Sequence, residues 1–449
     1  MSEYRYRFTI LVPTHQRANL LGPTLRGLLL QDHESYQLVV SNNFSTDATR
    51  TVLLEFADDP RVTILHTDRK MSMPEHWEFA MERAEGEHVV ILGDDDGVRP
   101  DCLTILDAVI TQTGGNLLKF KTGLYHHPDW VDEKRNKFEF DVNCSNACFA
   151  VDKRELISEF CSFRNYAYFP NLLQACFSLE LYRQAKRTCG TVFVGAPDWS
   201  CPFLLLAQEN ARPIYIDATL GYGGRSQMSN AAYYAGEGDE FQNERLKDFM
   251  NDLSPAFRLP HHEPQITTAG NFTPAAFSYA KRFYPEALRD FALDRFELSR
   301  VIQNDLAEEA VGHRHAFWTP EELASFRRYV DALPPEQCRV IKGLPGGGSP
   351  KGRTLLLLKR AKRKLQSRCP GVLRILPGSV TGGAAVTNYP YNRLIPLAGA
   401  GITDGYELMR AFNTIVRDSD RNGLEKGGEV LKAKPLRKLL QLSLPMEAV

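Results

Sequence analysis

The chain has 449 residues, 43% hydrophobic and 24% charged, a composition typical of a soluble globular protein with room for two or three domains. No apolar run reaches the length that spans a bilayer, and nine scattered cysteines without a CxxC pair argue against a disulfide framework. The net charge of −1 hides an asymmetry: residues 351–449 hold 18 lysines and arginines against 7 acidic residues, which suggests a basic C-terminal region with its own partner.

Met1–Arg7 runs straight into the β-rich stretch Phe8–Val12, so no secretory signal and a cytoplasmic location are expected. Pro13 ends that strand, and leucines at helical spacing predict a helix over Ala18–Leu30. A strand at Gln37–Val40 leads into Ser41–Asp47, whose polar residues suit a turn and a helix cap. Val62–Leu65 reads as a third strand. Ser72-Met73-Pro74-Glu75 has the form of a capping box, and Trp77, Ala80, Met81 and Ala84 fall on one apolar helix face, with Trp77 reading as core. Gly86 ends this helix. His88–Leu92 then reads as a buried strand, running into Gly93-Asp94-Asp95-Asp96-Gly97. The alternation predicts an α/β fold with a mostly parallel sheet and helices on its faces.

Further along, the pattern predicts a helix at Asp101–Thr111, a strand at Asn116–Lys121, and a loop or small hairpin over Tyr125–Ala147. A helix at Leu179–Arg187 precedes a strand at Thr191–Val194. Gly195–Trp199 opens another helix through Leu206, and a strand at Pro213–Ile216 leads to the glycine-rich Gly221–Ser226. After Ala231 the alternation stops. Pro274–Ala310 is helix-like, and Thr319–Glu322 has capping-box form. Leu344–Pro350 has linker composition. These features divide the chain into an α/β domain over 1–230, a helical region over 231–343 and a basic, mainly helical region over 344–449. Lys359–Lys364, beside four leucines, suits either an anionic membrane surface or a packed amphipathic helix.

The acidic triplet is the centre of the chemistry. At the carboxyl end of a strand in an open α/β sheet it lies where such sheets bind ligands. Three adjacent carboxylates repel one another, and a hard divalent cation bridging to substrate phosphates would favour them. A solvated acidic turn is the plain alternative. His261 with His262, and His313 with His315, have metal-ligand spacing but read better as surface residues. Gly221–Ser226 with Arg225 could wrap a phosphate, although an ordinary glycine-rich loop is the stronger reading.

Four stretches occur in a telling order: Val12-Pro13-Thr14-His15-Gln16-Arg17, Val40–Asp47, Gly93–Asp96 with Pro100, and Pro197-Asp198-Trp199. Together they make the first half of the chain resemble the inverting family 2 glycosyltransferases of the GT-A fold. The resemblance implies that Pro13, Thr14 and Arg17 lie beside a nucleotide and that Ser41 and Asn42 meet its base and ribose. Ser41 and Asn42 stand where the family often has carboxylates; an amide can still pair with a base edge, and turn chemistry explains Asn42 equally well. Asp94 would face the ribose and diphosphate, while Asp95 or Asp96 holds Mn²⁺ or Mg²⁺ against the leaving diphosphate. Asp198 would take the proton from the acceptor hydroxyl, a position also suited to capping the next helix. The implied partners are a nucleoside-diphosphate sugar and a glycan, lipid-linked or protein acceptor in bacterial surface glycan assembly. Peripheral contact at the inner face of the membrane through the basic region is a further expectation, and no nucleic acid is expected. The rivals are a sugar-nucleotide nucleotidyltransferase, disfavoured because Pro13–Ala18 lacks glycine, and a non-catalytic nucleotide-sugar binder.

Overall fold

The computed structural model describes residues 4–130, 134–141, 144–164, 166–229, 262–311, 318–344, 393–397, 402–412, 415 and 441–443. Strands and helices alternate at first: β1 (Tyr6–Thr14), α1 (Ala18–Leu28), β2 (Tyr36–Asn42), α2 (Thr49–Leu54), β3 (Val62–His66), α3 (Met73–Met81) and β4 (Gly86–Ile91). β1 pairs in parallel with β2 and with β4, and β2 pairs in parallel with β3. The carboxyl ends of four strands therefore share one edge. Phe8, Ile10 and Val12 enter one core cluster and Leu11 the other, so the sheet is buried on both faces. That is why these strands read as unbroken apolar runs rather than as alternation.

The second half of the sheet departs from the expected parallel order. It comprises β5 (Gly97–Val98), α4 (Cys102–Thr113), β6 (Leu117–His126), β7 (Lys137–Phe140), β8 (Ala147–Ala150), α5 (Lys153–Cys161), β9 (Ala175–Ser178), α6 (Leu179–Cys189), α7 (Pro197–Leu206) and β10 (Pro213–Arg225). β9 inserts antiparallel between β4 and β6, while β10 lies parallel to β6 and antiparallel to β8. β6 and β7 form the hairpin anticipated after Tyr125. Two strands come from the far end of the chain: β11 (Arg393–Pro396) joins β7 and β12 (Gln441–Ser443) joins β8, in a mixed sheet of twelve strands among the described residues. Leu397, Ile402, Leu408, Met409 and Phe412 are buried with Tyr125, Phe138, Phe140 and Tyr222.

Several local expectations are corrected. Thr191–Val194 is not a strand, because the Glu78 carboxylate takes the Val192 and Phe193 N–H groups that a ladder would need. Trp77 packs edge-on against Phe193 in the core, as expected. Gly221–Arg225 is not a loop but the continuation of β10, paired with Thr122–His126. The Ser72 hydroxyl makes no capping bond, and Glu75 pairs with Arg69. The capping box at Thr319 does form. The helical stretch near Pro274 is two helices, Ala269–Phe283 and Arg295–Val311. Pro285 falls between them, and the residue before a proline is biased away from helical backbone. The second of them, with Pro320–Asp331 and Pro335–Gly343, surrounds a separate core containing Ile266, Leu298, Ile302, Phe326 and Tyr329, while Ala276, Phe277 and Ala280 of the first pack into the main core. His262 is buried rather than at the surface, held between Ser278 and Asn271. His261, His313, His315, the 345–350 linker and the basic run Lys359–Lys364 lie outside the described residues. No helix among the described residues is long and apolar enough to cross a membrane.

Candidate active site

The loop Gly93–Asp96 leaves β4 at the shared carboxyl edge, and each of its carboxylates has different partners. Asp94 accepts a hydrogen bond from the Thr14 hydroxyl at 2.7 Å, and the Arg17 guanidinium lies 3.5 Å away. The Thr24 hydroxyl donates to the Asp94 carbonyl, fixing the loop to α1. Asp96 turns back into the fold: its two oxygens accept the Gly93 N–H at 2.8 Å and the Gly224 N–H at 2.9 Å. The end of β10 thus clasps the triplet. Only glycine fits there, since a Cβ on Gly224 would come 2.0 Å from the Asp95 carbonyl oxygen. The Asp95 carboxylate is the least engaged of the three, with the Ser226 hydroxyl at 3.5 Å.

All three carboxyls are buried. Burial pushes Asp94 up to about 6 against the opposing pull of Arg17, and pushes Asp96 up to about 7 with Asp95 adding repulsion. Burial raises Asp95 as well. The cluster is therefore short of positive charge. The Arg17 side chain, 10% exposed, has a buried Nη1 with no hydrogen-bond partner, a donor suited to an anion. Among the described residues no group of three or more His, Cys, Asp or Glu side chains is arranged to ligate a metal. A cation carried by one or two carboxylates plus substrate phosphates, the habit of Mg²⁺, fits that donor set.

The neighbouring strand end is occupied by internal bonds. The Ser41 hydroxyl is fully buried and 2.8 Å from His76 Nε2, while burial lowers His76 to about 4. Asn42 contacts His66 and accepts the Ser45 N–H. Asn43 brackets the Met71 backbone, donating to its carbonyl and accepting its N–H, both at 2.8 Å. Turn chemistry thus accounts for much of this loop. Pro13 is partly exposed at the end of β1 beside it.

Asp198 reaches the site by an unexpected route. It does not follow a strand, and it is not the cap of α7: Ala196 is, with Pro197 and Asp198 in the first turn. Its carboxylate accepts a 2.9 Å bond from the Asn171 amide. Asn171 precedes the 3₁₀ turn Leu172–Gln174, which leads into β9. β9 runs antiparallel to β4, with Cys176 opposite Val90, so its start lies at the triplet end of the sheet. Asp198 is therefore tethered to the edge that carries Asp94–Asp96. Burial raises its carboxyl to about 6, with Asn171 pulling the other way. Nothing in its own sequence neighbourhood marks Asn171 as a site residue, while Gly224 and Ser226 lie in the glycine-rich stretch Gly221–Ser226.

Part of this chain is similar to known glycosyltransferases. The model described as Glycosyl transferase family 2 matches residues 9–144. Over 104 residues, 23% of this chain and 41% of the relative, the sequence is 24% identical to a putative teichuronic acid biosynthesis glycosyltransferase, TuaG, of Bacillus subtilis. Over 102 residues, 22% of this chain and 33% of the relative, it is 28% identical to the GalNAc(5)-diNAcBac-PP-undecaprenol beta-1,3-glucosyltransferase of Campylobacter jejuni. The chain thus spans well under half the length of these curated relatives. Among solved structures it is similar to residues 1–349 of S. aureus TarS in complex with UDP-GlcNAc, with a TM-score of 0.44 and 15% identity over 79% of this chain and 88% of that one.

Proposed function

We propose, on the premise that residues 9–144 belong to glycosyltransferase family 2, that this chain moves a sugar from a nucleoside diphosphate to an acceptor hydroxyl with inversion. The observation that carries this reading is the shared sheet edge: a buried, cation-poor acidic loop and a desolvated carboxylate, Asp198, tethered beside it. Inverting transfer asks for these two things, a seat for the leaving diphosphate and one base for the incoming hydroxyl. Thr14 and Arg17 orient Asp94 and offer the unpartnered guanidinium N–H to a phosphate. Asp95, the least engaged carboxylate, would hold Mn²⁺ or Mg²⁺, with Asp96 maintaining the loop through its backbone bonds. The bound ion supplies positive charge to the departing diphosphate. Asp198, raised to about 6, accepts the acceptor's proton near neutral pH.

The acceptor class we infer is a glycan or lipid-linked intermediate of a bacterial cell surface, in line with the names of the relatives. Titration with UDP, GDP and their sugars, with and without Mn²⁺, followed by a donor-hydrolysis assay, tests the reading. Metal-dependent binding plus slow hydrolysis is expected. Binding without any turnover would point instead to a nucleotide-sugar binder.

Peripheral membrane contact rests on the run Lys359–Lys364. Removing all of 351–449 would also remove residues buried against the sheet, so charge neutralisation is the cleaner test. Changing Lys359, Arg360, Lys362, Arg363 and Lys364 to Gln should cut binding to anionic vesicles, each lost charge weakening it by about 1 kcal/mol. Equal, weak binding of the native protein to neutral and anionic vesicles would remove the idea.

A further inference from the structure

The loop after β2 carries a feature that its turn chemistry does not explain. Phe44 is 48% exposed and its backbone sits at φ 52°. A bulky side chain at positive φ is a conformational outlier, and glycine would adopt this backbone without strain. The strain is held in place from both sides. Asn43 N–H donates to the Thr14 carbonyl, Gln16 N–H donates to the Ser45 hydroxyl, and the Asn43 amide brackets Met71. Gln16, in the facing loop, is itself at φ 58°. A well-tied loop thus presents one aromatic ring to solvent, at the carboxyl edge of the parallel strands.

Its position relative to the acidic triplet sets what the ring can meet. β4, β1 and β2 are consecutive neighbours in the sheet. At about 4.8 Å per strand, the end of β2 lies roughly 10 Å from the end of β4, the reach of a nucleoside from its diphosphate to its base. Arg17, whose Nη1 has no partner and whose guanidinium is 3.5 Å from Asp94, follows β1, the strand between them. We propose that Phe44 is a stacking platform for the donor's nucleobase, held in a strained backbone so that its ring stands out over the binding edge. The inference rests on the nucleotide-binding reading above and adds a base-recognition residue to it. Stacking would bind the π-face of any base, which supplies the affinity that Ser41 and Asn42, engaged internally, leave unfilled.

The test compares UDP and GDP with inorganic pyrophosphate, each with Mn²⁺, by calorimetric titration of the full chain. Phe44→Gly should weaken UDP and GDP binding about 5–100-fold, the range of base–aromatic stacking, leave pyrophosphate affinity unchanged, and not lower the melting temperature. Phe44→Trp should keep nucleotide affinity within a few-fold of the native chain. Unchanged nucleotide binding in Phe44→Gly would overturn the platform while leaving the enzymatic reading intact. Equal loss for nucleotide and pyrophosphate would assign Phe44 to loop structure instead. If the native chain binds pyrophosphate but neither nucleotide, both the platform and the nucleotide-donor reading fall. Retained nucleotide affinity with loss of acceptor saturation would move the ring to the acceptor side and overturn the proposal.

Discussion

Asp198→Asn is expected to fold normally, bind donor with near-native affinity and lose transfer by about 10²–10⁴-fold, the usual contribution of a general base. Asn keeps the size of the side chain and suits a helix N-terminus, so helical structure is not what the substitution removes. If the proposed transfer holds, the native protein should show a kcat/KM that rises with pH through about 6, where burial places this carboxyl. Asn171→Ala should move that rise to higher pH, because the Asn171 amide is the bond that opposes the upward push. Circular dichroism and donor titration alongside the rate assay separate loss of a base from loss of fold. A folded Asp198→Asn variant with transfer within a few-fold of native would leave the inverting mechanism without its base.

The second large effect concerns the cation. Chelation should abolish donor turnover and Mn²⁺ should restore it, while Asp95→Asn should lose metal-dependent nucleotide binding and stay folded. The buried carboxyls give this a pH signature. Asp94 and Asp96 rise from an ordinary 3.8 to about 6 and about 7, mainly through desolvation. The folded chain therefore binds more protons than the unfolded one across that interval, and these groups lower stability as pH rises from about 4 to 7. A bound cation relieves the repulsion that appears once they ionise. Mn²⁺ at 100 times its Kd contributes about 2.7 kcal/mol, or roughly 5–10 °C in melting temperature for a domain of 150–250 residues. The increment should be clearly larger at pH 7.5 than at pH 5.5, and absent in Asp95→Asn. Full activity in EDTA would end the metal assignment.

How far the sequence reaches depends on how local the cause is. β1, β2 and β4 are legible because each is buried on both faces, so Phe8–Val12 and His88–Leu92 need only their own residues to declare themselves, whereas β3 at the sheet edge is only partly buried. The triplet is legible for the same reason: three carboxylates after a buried strand have few places to go. Thr191–Val194 fails because the decisive group, the Glu78 carboxylate, lies more than a hundred residues earlier. Gly221–Arg225 looks like a loop because glycines mark turns, yet here they permit close approach. Gly224 leaves room for the Asp95 carbonyl, and Gly221 would place a Cβ 2.6 Å from the Gly97 carbonyl oxygen. The tether from Asn171 to Asp198 shows no spacing that sequence could reveal, because it depends on β9 running antiparallel to β4.

The sheet that carries the site is finished by strands from near the end of the chain. β7 gains its partner β11 only when residues 393–396 exist, and Phe138, Phe140 and Tyr222 gain their cover from Leu397, Leu408 and Phe412. At about 5–20 residues per second, synthesis from β10 to β11 takes on the order of 10–30 s. For that interval the nascent protein displays an unpaired strand edge and a bare aromatic surface on the ribosome. A sheet edge of that kind invites pairing with other chains. The protein should therefore depend on holding chaperones during translation, and chains stopped before residue 393 should collect in inclusion bodies rather than as an active N-terminal fragment.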